Sequence, residues 1–213
     1  MIDKITSICE MYPEPSDTVS SNFFQTKPDH GRRKQRERIY MICDHALKNN
    51  PGDVLQIGCK DGELTRVLCE VAKKNNKTVT CIDPYTKGSD AHTGKEKQSE
   101  EYFKFLMNTQ SYSDVVHLHM EDSETEMSDA LIQLVEYAFV YISGDSGNTE
   151  KHSMEIELAS AKNKKNGVIC LDNIQSANNK KRTSNLDLFE KKINDHQYGY
   201  YWNQGIKEGY LLP

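Results

Sequence analysis

The chain has 213 residues, 36% of them hydrophobic and 28% charged, and Lys+Arg 27 against Asp+Glu 32 leaves a net charge of −5. That is enough chain to bury the core of one domain with extensions, or two domains at most, and it excludes wholesale disorder. The acidic balance argues against a dedicated nucleic-acid binder, and no apolar run is long enough to cross a bilayer as a helix. Met1-Ile2-Asp3-Lys4 lacks the basic start and apolar stretch of a signal peptide, so a cytoplasmic location with no membrane partner is expected. Cys9, Cys43, Cys59, Cys69, Cys81 and Cys170 include no CxxC pair and no zinc spacing. They read as buried, reduced thiols that pack as small hydrophobes.

Residues before about Asp29 show little periodicity and carry Pro13, Pro15 and Pro28, which predicts an irregular arm with room for one short helix. From Gly31 to Lys48 the apolar positions Ile39, Ile42, Cys43, Ala46 and Leu47 recur at helical spacing, and Asn49-Asn50-Pro51-Gly52 breaks the pattern. Short apolar runs then alternate with helical patterns. The runs are Val54–Ile57, Val79–Ile82, Val115–Leu118, Ala138–Ile142 and Val168–Leu171. The helical patterns centre on Leu64–Val71, Tyr102–Leu106, Met127–Val135, Met154–Ala161 and Leu186–Ile193. Continuous apolar strands linked by helices predict a parallel sheet covered on both faces. Gly199–Trp202 and Gly209–Leu212, six residues apart, predict an antiparallel hairpin at its edge. The expectation is an α/β fold, doubly wound and mostly parallel, with residues 1–48 as an arm and helical extension and 49–213 as the main domain.

The first strand runs into Gly58-Cys59-Lys60-Asp61-Gly62, and the second ends on Asp83. Gly58 lets a backbone approach a ligand, Gly62 permits a tight turn into the next helix, and Asp83 falls at the carboxyl edge where open α/β sheets bind ligands. An acid there suits a ribose diol, though Asp is also a common helix cap. Ser123 with Glu126 makes a capping box, Asp172-Asn173 suits a plain turn, and Asp145 suits a loop tip. The basic run Arg32, Arg33, Lys34, Arg36, Arg38 reads as a solvated helix face before it reads as a phosphate site. His117 and His119 alternate on a strand with no third zinc ligand in view. Tyr200, Tyr201 and Trp202 read as edge-strand packing more readily than as a substrate wall.

Taken together, Gly58–Thr65 and Ile82-Asp83-Pro84-Tyr85 resemble the first two motifs of class I S-adenosylmethionine (SAM) dependent methyltransferases. His119–Ser123, Tyr141–Ser146 and Gly167–Ile174 resemble the ends of that family's third, fourth and fifth strands. Within that family the chain resembles the small O-methyltransferases akin to the catechol, caffeoyl-CoA and sugar-modifying enzymes. The resemblance implies a seven-stranded sheet with its last strand antiparallel, residues 49–213 forming the SAM-binding domain. It implies SAM contacts at Gly58, Gly62 and Thr65, ribose binding at Asp83, adenine contacts at Asp122 and Ser123, and a further cofactor contact at Ser143. It implies Asp145 as the catalytic acid–base residue and Asp145, Asp172 and Asn173 as ligands of an optional Mg²⁺. Ser143 stands where the family has its first metal-binding acid, and Glu121 where it has a glycine. The expected reaction is methyl transfer to a hydroxyl of a sugar, nucleotide-sugar or catechol-like molecule, by a chain that is compatible with homo-oligomers. The alternatives are a catalytically degenerate SAM binder and an NAD(P)-linked oxidoreductase, although the latter wants a middle glycine that this loop lacks.

Overall fold

Residues 30–85, 98–123, 135–143, 149–172, 184–194, 199–201 and 209–212 are described by the structure, a computed structural model. The expected arm ahead of residue 30 and the expected helix around Met127 lie outside them. Helix α1 spans His30–Asn49 and buries Ile39, Ile42, Cys43, Ala46 and Leu47, the stripe that the sequence pattern marks. Asn50 stops it: the backbone N–H and the side-chain amide both bond the Ala46 carbonyl, at 3.0 and 2.9 Å. Gly52 then turns the chain with φ 124°, where a Cβ would lie 2.7 Å from the Glu136 carbonyl oxygen.

The alternation follows as the sequence predicts: β1 (Asp53–Ile57), α2 (Glu63–Lys74), β2 (Val79–Ile82), α3 (Gln98–Thr109), β3 (Val116–His119), β4 (Tyr137–Ile142), α4 (Thr149–Lys162), β5 (Asn163–Leu171), α5 (Ser184–Asn194), β6 (Gly199–Tyr201) and β7 (Gly209–Leu212). The seven strands lie in the order β3-β2-β1-β4-β5-β7-β6. The first five are parallel, while β7 runs antiparallel to both β5 and β6. Every residue of β2 and β4 is buried, as strands covered on both faces require. β3 differs from its expected burial. It forms the edge of the sheet, and His117 is exposed while its neighbours are half-buried.

Side chains alternate between two cores, because successive strand residues face opposite sides. Val54, Phe139, Tyr141, Val168 and Cys170 pack on one face with α1, α2 and Phe105 of α3. Leu55, Val140, Ile142, Ile169 and Leu171 pack on the other with Ile156 of α4 and Phe189 of α5. The described part of the N-terminal extension therefore shares its core with the main domain. Strand order reverses at β1 and β4, and the crevice above their carboxyl ends is where an open α/β sheet takes a ligand. No helix among the described residues is long and apolar enough to cross a membrane.

Candidate active site

The turn between β1 and α2 is built from strained backbone held by hydrogen bonds. Gly58 (φ 80°), Lys60 (φ 50°) and Gly62 (φ 76°) all occupy the left-handed region. For Lys60 that conformation costs on the order of 1–2 kcal/mol, and its neighbours offset the cost. The Asp83 carboxylate accepts from the backbone N–H of Cys59 (2.7 Å), Lys60 (3.0 Å) and Tyr85 (3.0 Å). The Tyr85 hydroxyl donates to the Lys60 carbonyl at 2.7 Å, and Asn108 of α3 donates to the Asp61 carbonyl at 2.8 Å. Burial pushes the Tyr85 phenol far above its ordinary value, so it keeps the proton that this bond needs. Asp83 is thus an organiser of the turn as well as an acid facing the crevice. Gly62 has a second reason to be glycine: a Cβ there would lie 2.9 Å from the Phe105 Cα.

Two cavities open over this turn. One, of about 430 Å³, is bordered by Gly58, Asp83, Pro84, Ser123, Lys151 and Glu155. The other, of about 330 Å³, is bordered by Gln35, Arg36, Gln56, Glu63, Tyr141 and Asp172. Gly58, Lys60, Glu101 and Ser143 border both, so the cavities meet at the ends of β1 and β4. The Ser143 N–H bonds the Ile57 carbonyl at 2.8 Å and the Asp172 N–H bonds the Ile142 carbonyl at 3.0 Å, which fixes these side chains on adjacent strand ends.

The structure brings Gly58, Asp83, Ser123 and Ser143 together around the larger cavity. Thr65 is different. It is wholly buried in the first turn of α2 and borders neither of these cavities. Gly62 sits beneath α3 rather than on either wall. Asp122 holds Lys151 through bonds of 2.9 and 2.8 Å, and the lysine is the partner that borders the cavity. The Ser123 hydroxyl donates to Glu155 at 2.5 Å. Asp145 and Asn173 lie outside the described residues.

Several wall residues carry little sequence signal. Arg36 was expected on a solvated face, yet it pairs with Glu63 in the wall of the smaller cavity and is only 15% exposed. Gln35 reaches the same wall from α1. Gln56 could have been noticed, being the one polar residue inside Val54–Ile57. It is buried, its Nε2 donates to the Gly58 carbonyl at 3.3 Å, and its Oε1 has no hydrogen-bond partner among the described residues.

Of the three ligands expected for Mg²⁺ the described residues include Asp172 alone, and its contacts there do not suit a cation. Asp172 accepts from the Gln35 amide on Oδ1 at 3.0 Å and from the Ser143 hydroxyl on Oδ2 at 3.2 Å. A hard cation wants several oxygen ligands, at least one or two of them carboxylates. Here an amide N–H points at the carboxylate, and among the described residues no three of His, Cys, Asp or Glu converge.

Residues 55–174 match the family model described as a methyltransferase domain. The fold is similar to that of an O-methyltransferase from Bacillus cereus solved with SAH, the demethylated product of SAM. That match has TM-score 0.58 and 14% identity, covering 99% of this chain and 88% of that one. It is similar to a TDP-rhamnose 3′-O-methyltransferase of calicheamicin biosynthesis, with TM-score 0.64 and 13% identity over 99% and 92% of the two chains. A Podospora anserina methyltransferase bound to SAH aligns with TM-score 0.62 and 13% identity over 99% and 94%. No curated protein sequence matches the chain.

Proposed function

The chain belongs to the methyltransferase domain family, and from that premise we propose that it moves a methyl group from SAM to a hydroxyl of a small polar molecule. Membership selects methyl transfer over nicotinamide-linked redox chemistry. The observation that carries the reading is the pair of cavities joined at Gly58, Lys60, Glu101 and Ser143. A group-transfer enzyme needs two compartments in line, one for donor and one for acceptor, because the reaction is a displacement with the reactants held about 3 Å apart.

The larger cavity suits the cofactor. Gly58 presents backbone without a side chain, and Asp83 places an anionic acceptor where a ribose diol would lie. Ser123 borders the same cavity and would face the adenine. The orphaned Gln56 Oε1, which borders the smaller cavity, suits a ligand that carries a hydrogen-bond donor. When bound, the cofactor supplies an electrophilic methyl on a sulfonium that leaves without acid help. The smaller cavity suits the acceptor: Gln35, Arg36, Glu63 and Asp172 give it a polar, charged wall. Such a wall matches a sugar or nucleotide-sugar hydroxyl, and a catechol less well, because a planar ring would find Tyr141 as its sole aromatic neighbour among the lining residues. SAH at 100 times its Kd adds about 2.7 kcal/mol of stability, which in a chain of this size raises Tm by roughly 5–10 °C. Thermal shift with SAH, SAM and NADH is the test. A shift with NADH and none with SAH or SAM would overturn the reading.

A further inference from the structure

We propose that Gln35, reaching over from α1, takes the place of a divalent cation at Asp172, so that the Gln35–Asp172–Ser143 group receives the acceptor hydroxyl without a metal. The inference rests on the methyltransferase reading of the same site and adds who deprotonates the acceptor. In the metal-assisted arrangement a cation binds the acceptor oxygen and carboxylates bind the cation. Here the position of one such carboxylate is filled by Ser143, whose hydroxyl donates to Asp172 Oδ2 at 3.2 Å, while Gln35 Nε2 donates to Oδ1 at 3.0 Å. Both donors are neutral, and Gln35 reaches Asp172 across 137 positions of sequence. Asp172 borders the acceptor cavity, and Ser143 borders both cavities, so the group sits beside the junction where a methyl would cross.

A carboxylate fixed by two donors is an oriented proton acceptor. An isolated alcohol is far too weak an acid for it, but the mismatch disappears along the reaction. As the acceptor oxygen puts a lone pair into the new O–CH₃ bond, its O–H becomes that of a strongly acidic oxonium. The proton then passes to Asp172, and the electron pair of the breaking C–S bond stays on sulfur to give the thioether. Charge balances: a sulfonium cation and a carboxylate become two neutral groups, with no ion required. Asp172 is the catalytic residue in this scheme, and Gln35 is a positioning residue that acts through it.

Manganese titration of the SAH-loaded protein, followed by the paramagnetic signal of free Mn²⁺, decides the question without an acceptor in hand. Wild type should show no saturable binding. Gln35→Glu faces Asp172 with a second carboxylate, so it should acquire a site, and adding Asp172→Asn to it should remove that site. Saturable Mn²⁺ binding by wild type that Asp172→Asn abolishes would overturn the proposal, as would a Gln35→Glu protein that binds SAH normally yet gains no manganese site. Failure of SAH to bind at all would instead sink the methyltransferase reading, so the two failures are distinct. With an acceptor from a panel of sugars, nucleotide sugars and catechols, turnover should be equal in EDTA and in Mg²⁺. Asp172→Asn should lower kcat about 10²–10⁴-fold with SAH affinity unchanged. Gln35→Ala should lower kcat with little change in KM, and Mg²⁺-dependent turnover by wild type would overturn the proposal.

Discussion

Glu155 shows how much can depend on one carboxyl. It is wholly buried on α4, bonded to Ser123, with Lys151 and His152 on its own helix and Asp122 facing it from beyond β3. Burial is the largest influence and lifts its pKa above the ordinary 4.5, although Ser123, His152 and Lys151 pull the other way. The folded protein therefore keeps a proton that the unfolded chain has already lost. Stability from this group is greatest below the ordinary glutamate pKa and falls as pH rises from there towards the folded value. Glu155→Gln, neutral at every pH, should flatten that dependence. Its Tm should match or exceed that of wild type at pH 8, with the advantage gone near pH 4.5; melting curves across that range check it. Gly62→Ala should cost about 1–3 kcal/mol, because it adds left-handed strain and a clash with Phe105, 2.9 Å away. Phe105→Ala should not rescue it in a double-mutant melt, since the clash includes the Phe105 Cα. Asp83→Ala should abolish the SAH thermal shift, because it removes both the acid proposed to receive the ribose and the three bonds that hold the turn. A preserved shift would show that the acid lies off the cofactor path. Glycines and the strand-end acid were legible because their demands are local. Gln35 and Glu155 were not, because their importance comes from residues far away in sequence.

At the scale of elements, the periodicities held where burial decides them. The α1 stripe and the apolar runs of β1, β2 and β4 read correctly, since each buries what its pattern says. β3 read less well: the sequence cannot say which strand will lie outermost, and an edge strand loses cover on one side. Arg36 departs from the solvated face for the same reason, because another helix brings Glu63 against it. These errors share a cause, which is that neighbours across the sheet are chosen by topology rather than by local pattern. α1 faces both the core and the smaller cavity: Ile39 borders that cavity while belonging to the core, and Gln35 and Arg36 lie one turn earlier. Cys43→Ser, deeper in the same helix, should lower Tm without altering SAH affinity. It buries a hydroxyl among apolar neighbours and touches neither cavity. Melting and calorimetry of that variant separate the two faces.

Across the whole molecule, the core that α1 and α2 share with one face of the sheet accounts for the state of the cysteines. Cys43, Cys59, Cys69, Cys81 and Cys170 are free and buried, and burial pushes the thiols of Cys43 and Cys59 well up and that of Cys69 to about 12. Since the thiolate is the reactive form, these five should resist a disulfide reagent in native buffer and all react in denaturant. Rapid native labelling of Cys43, Cys69, Cys81 or Cys170, which border neither cavity, would show that the core opens. The strand order has a different consequence, in time rather than in space. β6 is synthesised before β7 yet lies outside it, so it has no neighbour in the sheet until β7 has been made and has docked against β5. While the chain leaves the ribosome, β1 to β5 can assemble in step with translation, but β6 must wait. A message cut short between the two strands would yield a nascent protein carrying its cofactor crevice and most of its core, with the N–H and C=O groups of β5 bare along one side. Such an edge recruits strands from other chains, so premature termination there should produce aggregates rather than a smaller working enzyme.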